Sequence, residues 1–381
     1  MKKIFLTVIA LLSMASASVF GMYGVDTDWI NFLTHGNQFR ARLDQLGFTL
    51  GNDTIKGTFG FDNNTGFGGV YGGILSPNDP YGNSGHYSFI PSISMGIGYT
   101  SSAIGIGVGY NATIGGIVQR FKGKEQSKAV NQVTHTPVLV LNAMDNAFRM
   151  AIPIQVYVDN EKDAPGNKDN TMAVSVDSQF RYYTGIEALT QVRLYLRYGL
   201  YQNEYTPTSG EKVKTKYGES FGFDLRFYFG SMVEEVALQP ILKLAYNGAL
   251  GKYHKNTRIQ AVKAMDGEYD TQQASFWGNG VWELELMTGL GLTANSDIVS
   301  LYLEPQLGLG VMQNAPMALV SETMLSEVYG LAYNVYAEIY ITPIKNLEWY
   351  FEAEISGWKA TNPGQFNFNG TTGITWYLPQ L

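Results

Sequence analysis

The 381 residues contain no cysteine, which excludes a disulfide framework and any thiolate metal site. Lys and Arg number 26 against 33 Asp and Glu, a formal charge of −7 that argues against nucleic acid as a partner. With 13% aromatic residues, 25 of them tyrosines, 43 glycines and only 15% charged residues, the composition is unlike that of an ordinary soluble domain.

Lys2 and Lys3, the apolar run Ile4 to Leu12 and the small residues Ala15, Ser16 and Ala17 have the form of a secretory signal peptide. Residues 1–17 are its expected extent, with 1–21 as the alternative, and its loss would remove two cations and leave a charge of −9. No later stretch approaches the roughly 18 apolar residues of a transmembrane helix.

Residues 18–37 show weak periodicity and are expected to form a periplasmic lead-in to a single domain over 38–381. From Phe39 the apolar residues fall on alternate positions, slip phase near Asp44 and Gln45, and resume at Leu46, Phe48 and Leu50. That pattern predicts one strand with a bulge. After the turn Gly51 to Asp53, Ile55, Gly57, Phe59 and Phe61 alternate with polar or small residues. A glycine-rich run from Phe67 to Ile74 is a further candidate strand or the start of a long loop.

Phe89 to Asn111 has the clearest pattern in the chain. Ile93, Met95, Ile97 and Tyr99 lie opposite Ser92, Ser94, Gly96 and Gly98. Beyond Thr100 to Ser102, Ile104, Ile106, Val108 and Tyr110 lie opposite Gly105, Gly107, Gly109 and Asn111. A period of two means strand, and each run suits the 9–11 residues of a tilted strand crossing a bilayer. This is a transmembrane hairpin whose small-residue face is expected to leave open space in the lumen.

The same alternation returns at Val133–Leu141, Phe148–Val158, Met172–Tyr182, Val192–Leu200, Phe221–Phe229 and Val236–Leu244. It continues at Trp282–Leu292, Leu301–Leu309, Leu331–Ile341, Leu347–Ile355 and Phe366–Leu378. Short turns such as Asn142 to Asn146 alternate with longer polar segments such as Gln202 to Lys214 and Ala249 to Gln273. The prediction is an all-β, transmembrane, antiparallel up-and-down barrel of about 16 strands, or 14 if the first pair is dropped, with short periplasmic turns and long extracellular loops. Apolar faces that end in aromatic residues favour a barrel over a soluble sandwich.

Parity places Arg40, Arg42, Lys56, Arg149, Arg181, Arg193, Arg197, Arg226 and Lys243 inside, mostly in the first two thirds. The inward Glu283, Glu285, Glu304, Glu338, Glu348, Glu352 and Glu354 all lie in the last third. These are the candidate pore-lining residues. They predict a basic wall facing an acidic one, serving either as a transverse field in a channel or as salt-bridged filling of a narrow lumen. The histidines His35, His86, His135 and His254 lack metal-ligand spacing, and His135, the strand histidine, points to the apolar side. The expectation is no enzyme, no cofactor and no bound metal.

Several stretches resemble the variable surface proteins of intestinal spirochaetes. They are FLTHGNQFRARLDQLGF from Phe32 to Phe48, GTFGF from Gly57, SMGIGYTS from Ser94 and GIGVGYN from Gly105. HTPVLVLNA from His135, AIPIQV from Ala151 and YNVYAEIYITP from Tyr333 complete the set. The resemblance implies an abundant, immunogenic surface antigen of the outer membrane, varied against host immunity. Its implied partners are the outer-membrane bilayer, host antibodies or ligands on the loops, and further copies of the chain in a homo-oligomer. A porin-like diffusion channel for small polar solutes is the alternative function, compatible with the first.

Overall fold

The computed structural model describes residues 26–41, 45–63, 86–89, 91–115, 117–120, 132–161, 166–233, 236–250, 282–316, 324–358 and 367–378. It opens with helix α1 (Asp26–Asn31) and a 3-10 turn (Phe32–Thr34). The strands that follow are β1 (Gln38–Ala41), β2 (Gln45–Gly51), β3 (Ile55–Asn63), β4 (His86–Phe89), β5 (Pro91–Thr100), β6 (Ile104–Gly115), β7 (Ile117–Arg120) and β8 (Gln132–Ala143). Next come β9 (Phe148–Glu161), β10 (Lys168–Tyr183), β11 (Gln191–Thr206), β12 (Val213–Tyr228), β13 (Ser231–Val233) and β14 (Val236–Ala249). The last are β15 (Trp282–Asn295), β16 (Val299–Pro316), β17 (Met324–Ile344), β18 (Leu347–Trp358) and β19 (Asn367–Leu378).

Seventeen strands form one antiparallel sheet, and β4 pairs with β7 in a separate ribbon. The short β13 lies beside β14 as a continuation of the β12–β14 hairpin, so sixteen strands make the wall. The wall closes because β1 pairs on one side with β2 and on the other with β19, through Phe39↔Leu378, Arg40↔Tyr377 and Ala41↔Trp376. Closure leaves no sheet edge, the condition for strands to cross hydrocarbon. On the outer face Phe39, Phe48 and Phe59 stack across the seam at 5.4 and 5.6 Å, contacts worth roughly 0.5–1.5 kcal/mol each.

The expected number of strands is right, but the first of them differs. Phe39 to Leu50 is not one bulged strand: the phase slip is a reversal, and β1 and β2 pair antiparallel through Phe39↔Phe48 and Ala41↔Leu46. The candidate strand Phe67–Ile74 lies outside the described residues, and β3 pairs directly with β5 through Ile55↔Tyr99. The turn at 52–54 therefore sits beside the turn at 101–103, with Thr100 N–H donating to Thr54 O at 2.7 Å. Both ends of the sheet lie at this end too, since Tyr377 N–H donates to Asn346 O in the turn at 345–346.

The face assignments hold. Ile97 and Val108 are each 58% exposed and Leu309 70%, whereas Ser94, Asn111, Arg181 and Glu338 are buried inside. At the other end the strands outrun their apolar faces: β10, β11 and β12 have 16 residues each, β16 has 18 and β17 has 21. Gln202–Thr206, Val213 and Lys214, expected in a loop, are strand. Outside the bilayer both faces meet water, so the ladder continues without amphipathic alternation.

Of the segment expected as a lead-in, residues 26–34 are packed within the barrel, and residues 18–25 lie outside the described residues. Trp29, Ile30, Phe32 and Leu33 are buried against Val138, Val140 and Ala151. The space expected beside the glycine face is thus filled. The cross-strand pairs Gly96↔Gly109 and Gly98↔Gly107 form a trough. A Cβ at Gly109 would lie 2.2 Å from Trp29 Cζ3, one at Gly98 2.2 Å from Leu33 Cδ2, and one at Gly107 2.8 Å from Phe32 Cε1. Burying each of the four apolar side chains contributes about 1.5–3 kcal/mol.

Gly109→Val is expected to overpack this contact and cost about 1–3 kcal/mol in urea unfolding of the refolded protein. Adding Trp29→Ala should recover part of that loss. Strictly additive effects of the two changes would contradict the packing.

Candidate lumenal site

The inward cations fall into two groups. The first surrounds the plug formed by α1 and its 3-10 turn: Arg149 Nη1 donates to Asn31 Oδ1 at 2.6 Å, and Lys56 Nζ donates to His35 O at 2.7 Å. Arg40 is inward and buried on β1. Arg42 lies outside the described residues.

The second group is a row. Arg149 pairs in register with Arg181, Arg181 with Arg193, Arg193 with Arg226, and Arg226 with Lys243, across β9, β10, β11, β12 and β14. Each sits on the inward parity of its strand, so the sheet lines them up side by side. Asp224 accepts from Arg226 at 2.7 and 2.9 Å and lies 4.0 Å from Lys243, which is 3.6 Å from Glu285. Arg197 is set apart from the row and is paired with Asp177 at 3.2 Å.

Beyond Glu285, neutral donors meet much of the acidic wall. Glu338 and Glu352 face each other in register on β17 and β18, both buried, and Tyr340 Oη donates to Glu352 Oε1 at 2.9 Å. Glu304 accepts from Tyr302 and from Gln306, Glu354 from Asn334 Nδ2 at 2.6 Å, and Glu348 from Tyr377 Oη at 3.2 Å. Glu283 is half-buried on β15. The two walls meet where Lys243 on β14 lies 3.6 Å from Glu285 on β15.

These tyrosines separate into two populations. Tyr99, Tyr110 and Tyr182 point outward, as expected at a membrane boundary, and Tyr110 Oη lies 2.5 Å from Nδ1 of the outward His135. Tyr228, Tyr340 and Tyr350 are buried inside, where their hydroxyls can meet lumenal polar groups. Composition could not distinguish the two.

The plug residues were missed because their segment lacks strand periodicity. Two signals point to them: Trp29, Ile30 and Leu33 have helical spacing, and Pro137 to Leu141 is apolar on both faces. Val138 and Val140 are inward and buried, which an empty aqueous lumen would not favour.

His35 lies at the end of the plug, and its imidazole is held down at about 4 by burial and then by the charges of Arg40, Lys56 and Arg149. In the unfolded chain the same group titrates near 6.5. The unfolded state therefore binds the extra proton first, and His35 leaves stability intact above about pH 6.5 but lowers it as pH falls toward 4. The urea midpoint should drop across that window, and His35→Gln should flatten the slope. Equal slopes for the two proteins would refute this account.

Among solved structures the chain is similar to CdiB from Acinetobacter baumannii, at 9% identity and a TM-score of 0.38, covering 90% of this chain and 59% of that one. It is also similar to the translocator domain of the autotransporter NalP from Neisseria meningitidis, at 12% identity and a TM-score of 0.29, covering 90% and 89%. No curated protein matches it. The model of the Serpulina hyodysenteriae variable surface protein matches residues 2–377, nearly the whole chain, and the protein belongs to that family.

Proposed function

We propose that this surface-exposed outer-membrane barrel acts as a variable surface antigen, with its role carried by the end opposite the short turns. The observation behind the reading is the asymmetry of the wall. One end closes in tight connections at 101–103, 144–147, 296–298 and 345–346, whereas at the other β10, β11, β12, β16 and β17 run 16 to 21 residues. About 10 residues suffice to cross the bilayer, so the excess projects into water, where antibodies or host ligands would meet it. The role is non-enzymatic: His135 points outward beside Tyr110, away from the lumenal charges.

The cysteine-free chain allows a direct test of orientation. Ser209→Cys, at the exposed tip between β11 and β12, should react with a membrane-impermeant maleimide on intact cells. Ser102→Cys, in a short turn, should react only after lysis. The reverse pattern would overturn the reading.

A porin-like function is the second reading, favoured by the separation of a cationic row from the acidic wall of β16, β17 and β18. It predicts conductance steps in planar bilayers whose ion preference shifts toward anions in Glu352→Gln/Glu354→Gln. Folded, pure protein that never conducts would eliminate it.

A further inference from the structure

We propose that the lumen contains an oxyanion site, of the kind that takes inorganic phosphate or sulfate, centred on Arg181. The cationic row is neutralised at one end only. Arg226 and Lys243 face Asp224 and Glu285, whereas Arg149, Arg181 and Arg193 meet no carboxylate among the described residues. Arg149 turns to Asn31 Oδ1 and Asn146 O and lies over the Tyr183 ring. Arg193 donates to Gln191 Oε1 and lies over the Tyr228 ring, 4.5 Å from its centroid. Arg181, between them, is 2% exposed, and its Nε and Nη1 have no hydrogen-bond partner.

The next inward row adds donors beside it. Tyr183 pairs in register with Gln191, and Gln191 with Tyr228. Tyr183 Oη, Gln191 Nε2 and Tyr228 Oη are all buried without a partner. Three adjacent strands therefore carry guanidinium, amide and phenol donors at neighbouring inward positions.

A buried cation without counter-charge is unfavourable, and two further cations in register make it more so. A small dianion with several acceptor oxygens answers both the charge and the donors. The planar guanidinium fork matches oxyanion geometry better than it matches a spherical halide. Glu304, the carboxylate on β16, is taken up by Tyr302 and Gln306. The site is independent of the loops and of the antigen reading.

The test is the urea midpoint of the refolded full chain, titrated with sodium phosphate at ionic strength held constant by sodium chloride. Phosphate should raise the midpoint saturably, and chloride should not. Arg181→Gln should abolish the shift while unfolding at a higher midpoint than wild type without phosphate, because it removes an unanswered buried charge. Arg181→Lys, which keeps the charge and loses the fork, should bind phosphate about tenfold more weakly. An equal phosphate shift in wild type and Arg181→Gln, or no shift in folded wild type, would overturn the proposal. If Arg181→Gln fails to fold, Arg193→Gln replaces it, with the same loss expected and an undiminished shift counting against the site.

Discussion

Everything in this protein depends on the closure of its sheet at β1. Hydrocarbon offers no hydrogen bonds, so each peptide group in the membrane must be paired within the protein. A strand of four residues completes that pairing by joining β19 to β2, which brings the last part of the chain beside the first. The ladder Phe39, Phe48 and Phe59 then covers the seam on the lipid side with stacked rings. Chain ends, turn ends and loop ends follow from that one junction, because antiparallel order leaves no other choice of direction.

Closing the wall creates an interior that must be filled or hydrated. Two solutions divide it. Where β5 and β6 carry glycine on the inward face, backbone comes close enough for Trp29, Phe32 and Leu33 to lie directly on it, and Val138 and Val140 extend this apolar floor. Where the wall carries charge, large polar side chains fill the space themselves. A glycine trough and an apolar helix are complementary in shape, so neither is fully interpretable without the other.

The charged part is itself divided. Asp224 and Asp177 neutralise the later cations, and tyrosine hydroxyls with amides solvate the carboxylates of β16, β17 and β18. Buried ion pairs of this kind contribute specificity more than net stability, since desolvation offsets much of the attraction. Sheet register decides who meets whom: a shift of one residue would turn Arg149, Arg181, Arg193, Arg226 and Lys243 out into lipid. The row exists because five strands keep a single alignment.

Periodicity alone determined the barrel, the outward faces, the alternation of short and long connections and the inward parity of residues such as Arg226 and Glu352. The reason is that lipid on one face and a polar lumen on the other impose a period of two on every crossing. The same criterion went silent where its cause was absent. Beyond the bilayer both faces of Gln202–Thr206 are wet, so strand was taken for loop. At Ala41 to Gln45 a reversal and a bulge shift the phase alike, and only the pairing of β1 with β19 and β2 distinguishes them. Tertiary structure alone decided that α1 lies in the glycine trough and that Arg181 stands between two other cations without a carboxylate among the described residues. Both are contacts between segments far apart in sequence, and no local pattern records which distant surface a face will meet.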